Sequence, residues 1–181
     1  AATGRVTGMW AGRFHDGQSH AVAASWLTAA NELWVTVYRI DATNTVAKQT
    51  SQLLLSARAA VIGVGDVNGD GLDDLIVYAK NRFPVAGGSL GNPGVAVAMG
   101  KGAGGFIAPD LDKPDQWVEV PKATGSNLTP PGASVGRATD GSGPDVVISN
   151  LANGITVLTS GGAGKLIHKK NITELTDGID V

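Results

Sequence analysis

Short apolar runs, rich in valine and separated by Gly-, Asp- and Asn-containing stretches, carry the chain from one end to the other. Where apolar and polar positions alternate, as in ELWVTVYRI from Glu32 to Ile40, every second side chain falls on one side, the period of a half-buried strand. No stretch keeps a helical period for more than two or three turns. The pattern predicts an all-β protein.

The runs group into a unit that repeats. GRFHDGQSHAVAASW from Gly12, GDVNGDGLDDLIVYA from Gly65 and GRATDGSGPDVVISN from Gly136 each place an apolar strand, a glycine, a polar loop and a second apolar strand in that order. The dipeptides Asp16-Gly17, Asp70-Gly71 and Asp140-Gly141 are the fixed points. A third strand follows in each unit: Glu32 to Ile40, the start of GVAVAMGKGAGGF from Gly94, and the start of GITVLTSGGAGKL from Gly154. A weaker fourth fits Gln52–Ser56, Trp117–Val120 and Leu166–Lys169. Four short strands repeated at this spacing are the signature of β-propeller blades. The expected organisation is blade 1 over 1–57, blade 2 over 58–124, and blade 3 over 125–181 with the start of a following segment. The unit starts lie 53 and 71 residues apart, and the excess falls in polar insertions at 81–92, at 108–116 and before the third unit, which read as rim loops.

Composition narrows the partners. A formal net charge of −2 argues neither for nucleic acid nor for an anionic membrane surface, and no apolar run is long enough to span a bilayer. The absence of cysteine removes disulfides and thiolate metal sites. The chain opens on Ala1-Ala2-Thr3, so a processed protein or an excised piece is expected.

The densest chemistry lies in GDVNGDGLDDLIV. Read from Asp66 it is D-x-N-x-D-G-x-x-D, with Asp66, Asn68 and Asp70 at alternate positions. Their oxygens can converge as the backbone wraps a point, with Gly71 where the wrap needs φ > 0. The Leu72 carbonyl and the Asp74 carboxylate complete the set. Five oxygen donors plus water suit Ca²⁺, which takes six to eight oxygens at about 2.3–2.6 Å. Asp73 is left to face water. The loop is not an EF-hand: Val77 stands where the bidentate glutamate would be. A plain solvated turn is the competing reading, since Asp, Asn and Gly are turn residues.

VGDVNGDGLDDLIV followed by GVAVAMGKGAGGF resembles the FG-GAP (VCBS-type) repeat of integrin α-subunit-like β-propellers, closely in the second unit and more faintly in the third and first. The resemblance implies a four-stranded blade with Ca²⁺ in the loop between its first two strands, held by Asp66, Asn68, Asp70, the Leu72 carbonyl and Asp74. It further implies a secreted or cell-surface protein serving in adhesion or ligand recognition.

The other two loops depart from that pattern together. Arg13 and Arg137 stand where the second unit has Asp66; the first unit keeps Asp16, with His20 in place of Asp74, and the third keeps Asp140 and Asp145. An arginine beside a carboxylate can do by hydrogen bonding what a cation does. Arg137 with Asp140 or Asp145 is the better candidate; Arg13 is read as facing solvent.

Other motifs weaken on inspection. GGSLG around Ser89 has the form of a nucleophile elbow, but Asn92-Pro93 follows where a helix should begin. SGGAGKL and GKGAGG read as hairpin turns rather than phosphate loops. His15, His20 and His168 have no metal-site spacing. Trp10, Trp26, Trp34 and Trp117 are expected to fill gaps between blades, with Trp117 the candidate for a ligand platform.

The expected function is a calcium-stabilised, non-catalytic binding module for a protein or carbohydrate ligand. The alternative is a non-catalytic section of a larger secreted toxin, adhesin or enzyme. A hydrolase is the less favoured reading: Ser89 has no paired general base, and a calcium loop so full of ligands leaves little open coordination for a metal-bound water at Asp66–Asp74. Because three blades leave two open flanks, further blades of a parent chain or self-association should cover them.

Overall fold

The computed structural model describes residues 4–15, 21–43, 45–83, 92–121, 131–137, 143–151, 154–162 and 165–172. They form three antiparallel sheets, each built from one stretch of chain. The first holds β1 (Gly4–Gly12), β2 (Ala21–Thr28), β3 (Leu33–Ile40) and β4 (Val46–Leu55) in sequential order. The second runs β5 (Ala59–Gly65), β6 (Asp74–Phe83) and β7 (Asn92–Gly100), edged by β8 (Phe106–Ile107) and β9 (Val118–Glu119). The third holds β10 (Gly132–Gly136), β11 (Asp145–Leu151), β12 (Gly154–Ser160) and β13 (Leu166–Ile172).

The second sheet has the one departure from the expected strand plan. β8 pairs with one end of β7 (Met99↔Ile107) and β9 with the other (Val95↔Val118), so its fourth strand is split by the insertion between them. That insertion carries a single 3₁₀ turn, Pro114–Gln116. The two Gly-rich motifs are hairpin turns as expected: Gly102, Ala103 and Gly104 all have positive φ after β7, and Gly162 does after β12.

Packing follows the pleat. In β2 and β3 one face is buried (Ala23, Ser25, Val35, Val37) and the other is half-buried except at Thr36, close to the alternation seen in the sequence. The second sheet is buried on both faces. Val61, Leu75, Val77 and Ala98 enter a core with Leu33, Val35 and Val37 of the first sheet. Ile62, Ile76, Val95 and Val97 enter another with Val146, Ile148 and Leu158 of the third. That sandwich explains uninterrupted apolar runs such as LIVYA.

The first strands of the three sheets lie side by side, β5 between β1 and β10. The approach is close enough that a Cβ on Gly63 would sit 2.5 Å from the Ala133 carbonyl oxygen, and one on Gly65 2.5 Å from Val135. Glycine there is a condition of the packing. The loops after β1 and β5 then send an apolar plug into the adjoining core: Phe14 after β1, edge-on to Phe106 at 5.8 Å, and Val67 after β5, both fully buried.

The tryptophans divide differently from expectation. Trp10 packs against the core between the first and second sheets, and Trp117 is buried in it. Trp117 donates its indole N–H to the Asp110 carbonyl, and the Arg82 guanidinium lies over its ring at 5.2 Å. It is a core residue, not a platform. Trp26 and Trp34, paired across β2 and β3 with ring centroids 5.8 Å apart, lie on the alternate face, away from that core. On the same row Val6 is 59% and Leu53 36% exposed, with Met9 at 70% nearby, so this face is apolar and open.

Candidate functional site

The loop from Asp66 to Asp73 joins β5 to β6 at one end of the second sheet. Asp66 organises it. Its Oδ1 accepts the N–H groups of Gly69 (2.7 Å) and Asp70 (3.1 Å), and its Oδ2 accepts that of Gly71 (2.9 Å). One carboxylate thereby curls three successive amides around itself. Such a curl needs left-handed backbone, and Gly69 (φ 80°) and Gly71 (φ 87°) supply it. Asn68 accepts the Asp70 N–H at 3.0 Å and donates to Asp70 Oδ2 at 2.8 Å; Asp70 Oδ1 accepts the Leu72 N–H at 2.8 Å.

Asp74, the first residue of β6, sits beneath the loop and is fully buried. Its Oδ2 accepts the Val67 N–H and its Oδ1 the Gly100 N–H, both at 2.8 Å. The carboxylate therefore fixes the Val67 plug and ties the loop to the end of β7. Burial pushes the Asp74 carboxyl up to about 6; the Gly100 and Val67 N–H groups oppose the shift, and the nearby charges of Asp70 and Asp66 add to it.

Two residues sit otherwise than the sequence suggests. Asp73 does not face water. Its Oδ2 accepts the Arg13 backbone N–H (2.7 Å), its Oδ1 pairs with Arg13 Nη2 (3.1 Å), and its own N–H donates to the Arg13 carbonyl (3.1 Å). The Arg13 side chain, 43% exposed, is nonetheless paired: it bridges the first and second sheets, with Nη2 also 3.9 Å from Asp66 Oδ2. Nothing within either loop signals this contact, because its partners are 60 positions apart.

In the third sheet Asp145 opens β11 as Asp74 opens β6, paired in register with Gly136 as Asp74 is with Gly65, and it too is fully buried. Arg137 is exposed and makes no ion pair with Asp145 or any other described residue. The expected pairing of Arg137 with Asp145 is not formed: Asp145 is buried at a strand start and Arg137 is exposed. Asp16, His20, Ser89 and Asp140 lie outside the described residues. His15 is buried beside the hairpin after β7, and His168 is exposed, 3.0 Å from Asn171 Oδ1.

A divalent cation can be tested against this donor set. Among the described residues no three acidic or histidine side chains already converge on one point, because each carboxylate is turned onto backbone N–H groups. Asp66 Oδ1 already holds two N–H groups, but Asp66 Oδ2, Asp70 Oδ1 and both Asp74 oxygens hold one each and retain a second lone pair, so those bonds shape the loop without exhausting its donors. The donors are oxygen alone, on one short loop, and the charges of Asp70 and Asp66 add a lesser part to the upward push that burial gives Asp74. They fit a hard cation.

Residues 59–95, which contain β5, the loop and β6, match the family model of the FG-GAP repeat. None of the curated proteins compared with the chain matches it. The matched unit is of propeller type, and the three sheets around it are propeller-type blades. Such repeats are generally non-catalytic and occur in extracellular or surface proteins. No helix among the described residues is long and apolar enough to cross a membrane.

Proposed function

We propose that the chain is a calcium-stabilised β-propeller module of a secreted or cell-surface protein that binds a protein or carbohydrate ligand. The observation that carries this reading is the 66–74 loop within the FG-GAP match: three carboxylates, one of them fully buried, gathered around a backbone curl. Ca²⁺ would be held by Asp66, Asn68, Asp70, the Leu72 carbonyl and Asp74, and would supply positive charge that favours the ionised form of the buried Asp74 carboxylate. Its role is structural, securing the Val67 plug and the tie to β7, while the rim loops meet the ligand. The open apolar face of the first sheet is covered by further blades of a parent chain or by self-association.

The test is thermal unfolding with calcium and with chelator. Wild type should be stabilised by calcium and Asp70→Ala should not, because Asp70 is an exposed residue whose loss otherwise removes only local hydrogen bonds. Equal calcium response in the two proteins would refute the ligand assignment.

A further inference from the structure

Arg13 belongs to the first sheet but ends inside the loop of the second. Its placement does not depend on its side chain. The backbone from Arg13 to His15 is stitched across the interface by three main-chain hydrogen bonds, Asp73 N–H to the Arg13 carbonyl, Gly104 N–H to the Phe14 carbonyl (2.9 Å) and Ala103 N–H to the His15 carbonyl (2.8 Å), and by Arg13 N–H to the Asp73 side-chain Oδ2. Gly12 allows the approach, since a Cβ there would meet Asp73 Oδ2 at 2.8 Å. With the backbone fixed, the guanidinium spans two carboxylates of different kind. Asp73, at 3.1 Å, is outside the proposed ligand set; Asp66, at 3.9 Å, is within it.

We propose that Arg13 sets the affinity of the loop for its divalent cation, as a counter-charge lent by the neighbouring blade. The inference rests on the calcium reading. Arginine stays charged at every working pH, so the guanidinium is a permanent positive charge beside Asp66. It relieves the repulsion among Asp66, Asp70 and Asp73 when no cation is bound, and it competes for Asp66 with an arriving one. Asp73 moderates that competition by holding the guanidinium to one side. Blade docking and cation binding are therefore coupled through a single side chain: what stabilises the metal-free interface weakens the site.

The prediction has a sign that simple damage would not produce. Arg13→Gln should lower metal-free stability yet raise calcium affinity, by roughly three- to tenfold for removal of one unit charge at solvent-like dielectric. Arg13→Lys keeps the charge and should bind within about twofold of wild type. Asp73→Asn releases the guanidinium toward Asp66 and should weaken binding, and it serves where Arg13→Gln is too unstable to titrate. The measurement is calcium titration by calorimetry, paired with denaturant unfolding in chelator. Unchanged or weakened affinity in Arg13→Gln, or unchanged or tightened affinity in Asp73→Asn, would overturn the proposal while leaving the calcium reading intact. Absence of saturable binding in wild type would instead refute the calcium reading, and this inference with it.

Discussion

Replacing Asp74 by asparagine should abolish a pH dependence of stability that the buried carboxylate imposes on the metal-free protein. In the folded chain this group titrates at about 6 against an ordinary value of 3.8, so between those limits the native state binds more protons than the unfolded one. Stability falls with rising pH wherever that holds, so the Asp74 contribution is greatest below about pH 4 and declines as pH rises toward 6 and 7. At 1.36 kcal/mol per pH unit the shift sets a ceiling of about 3 kcal/mol; allowing for solvent screening near the loop, roughly 1–3 kcal/mol is expected. Bound calcium favours the ionised carboxylate, lowers its pKa and should remove the decline. The assay is urea unfolding from pH 4.5 to 7.5, with chelator and with calcium, on wild type and Asp74→Asn. The difference between the proteins isolates Asp74 from other titrating groups. If the two show the same slope in chelator, the buried carboxylate is not the titrating group and the account of the loop's electrostatics is wrong.

Other outcomes follow from the packing. Phe14→Ala empties a fully buried site against Phe106 and should cost about 3–5 kcal/mol in denaturant unfolding. Gly63→Ala drives a methyl group against the Ala133 carbonyl and should cost about 1–3 kcal/mol, where an exposed Gly→Ala change would be near neutral. Met9→Lys, on the open face of the first sheet, should leave the isolated chain's stability within about 0.5 kcal/mol of wild type while reducing any self-association seen by light scattering.

The strands were legible because their period is written residue by residue. Alternation in β2 and the first half of β3 reports one buried face, and each loop places an Asp-Gly pair four or five residues after Gly12, Gly65 and Gly136. β8 and β9 hold two residues each, too few for a period to show, so the split of the fourth strand around its insertion was not legible. The Phe14 plug had a usable signal: it stands two places after Gly12, as Val67 stands two places after Gly65. The Arg13–Asp73 bridge had none, since aligning repeats compares each loop with its counterparts, while this contact joins a loop to its neighbour. Which face Trp26 and Trp34 take was not legible either: an aromatic residue in a strand declares its burial tendency but not which side of the sheet it faces.

Calorimetric titration of the chelator-treated chain with calcium is the most direct test of the calcium-stabilised module. Three carboxylates in a partly exposed loop predict one saturable site per chain with Kd of about 10⁻⁵–10⁻³ M, lost in Asp70→Ala. No saturable heat up to roughly 10 mM calcium, an order of magnitude above that range, would contradict it.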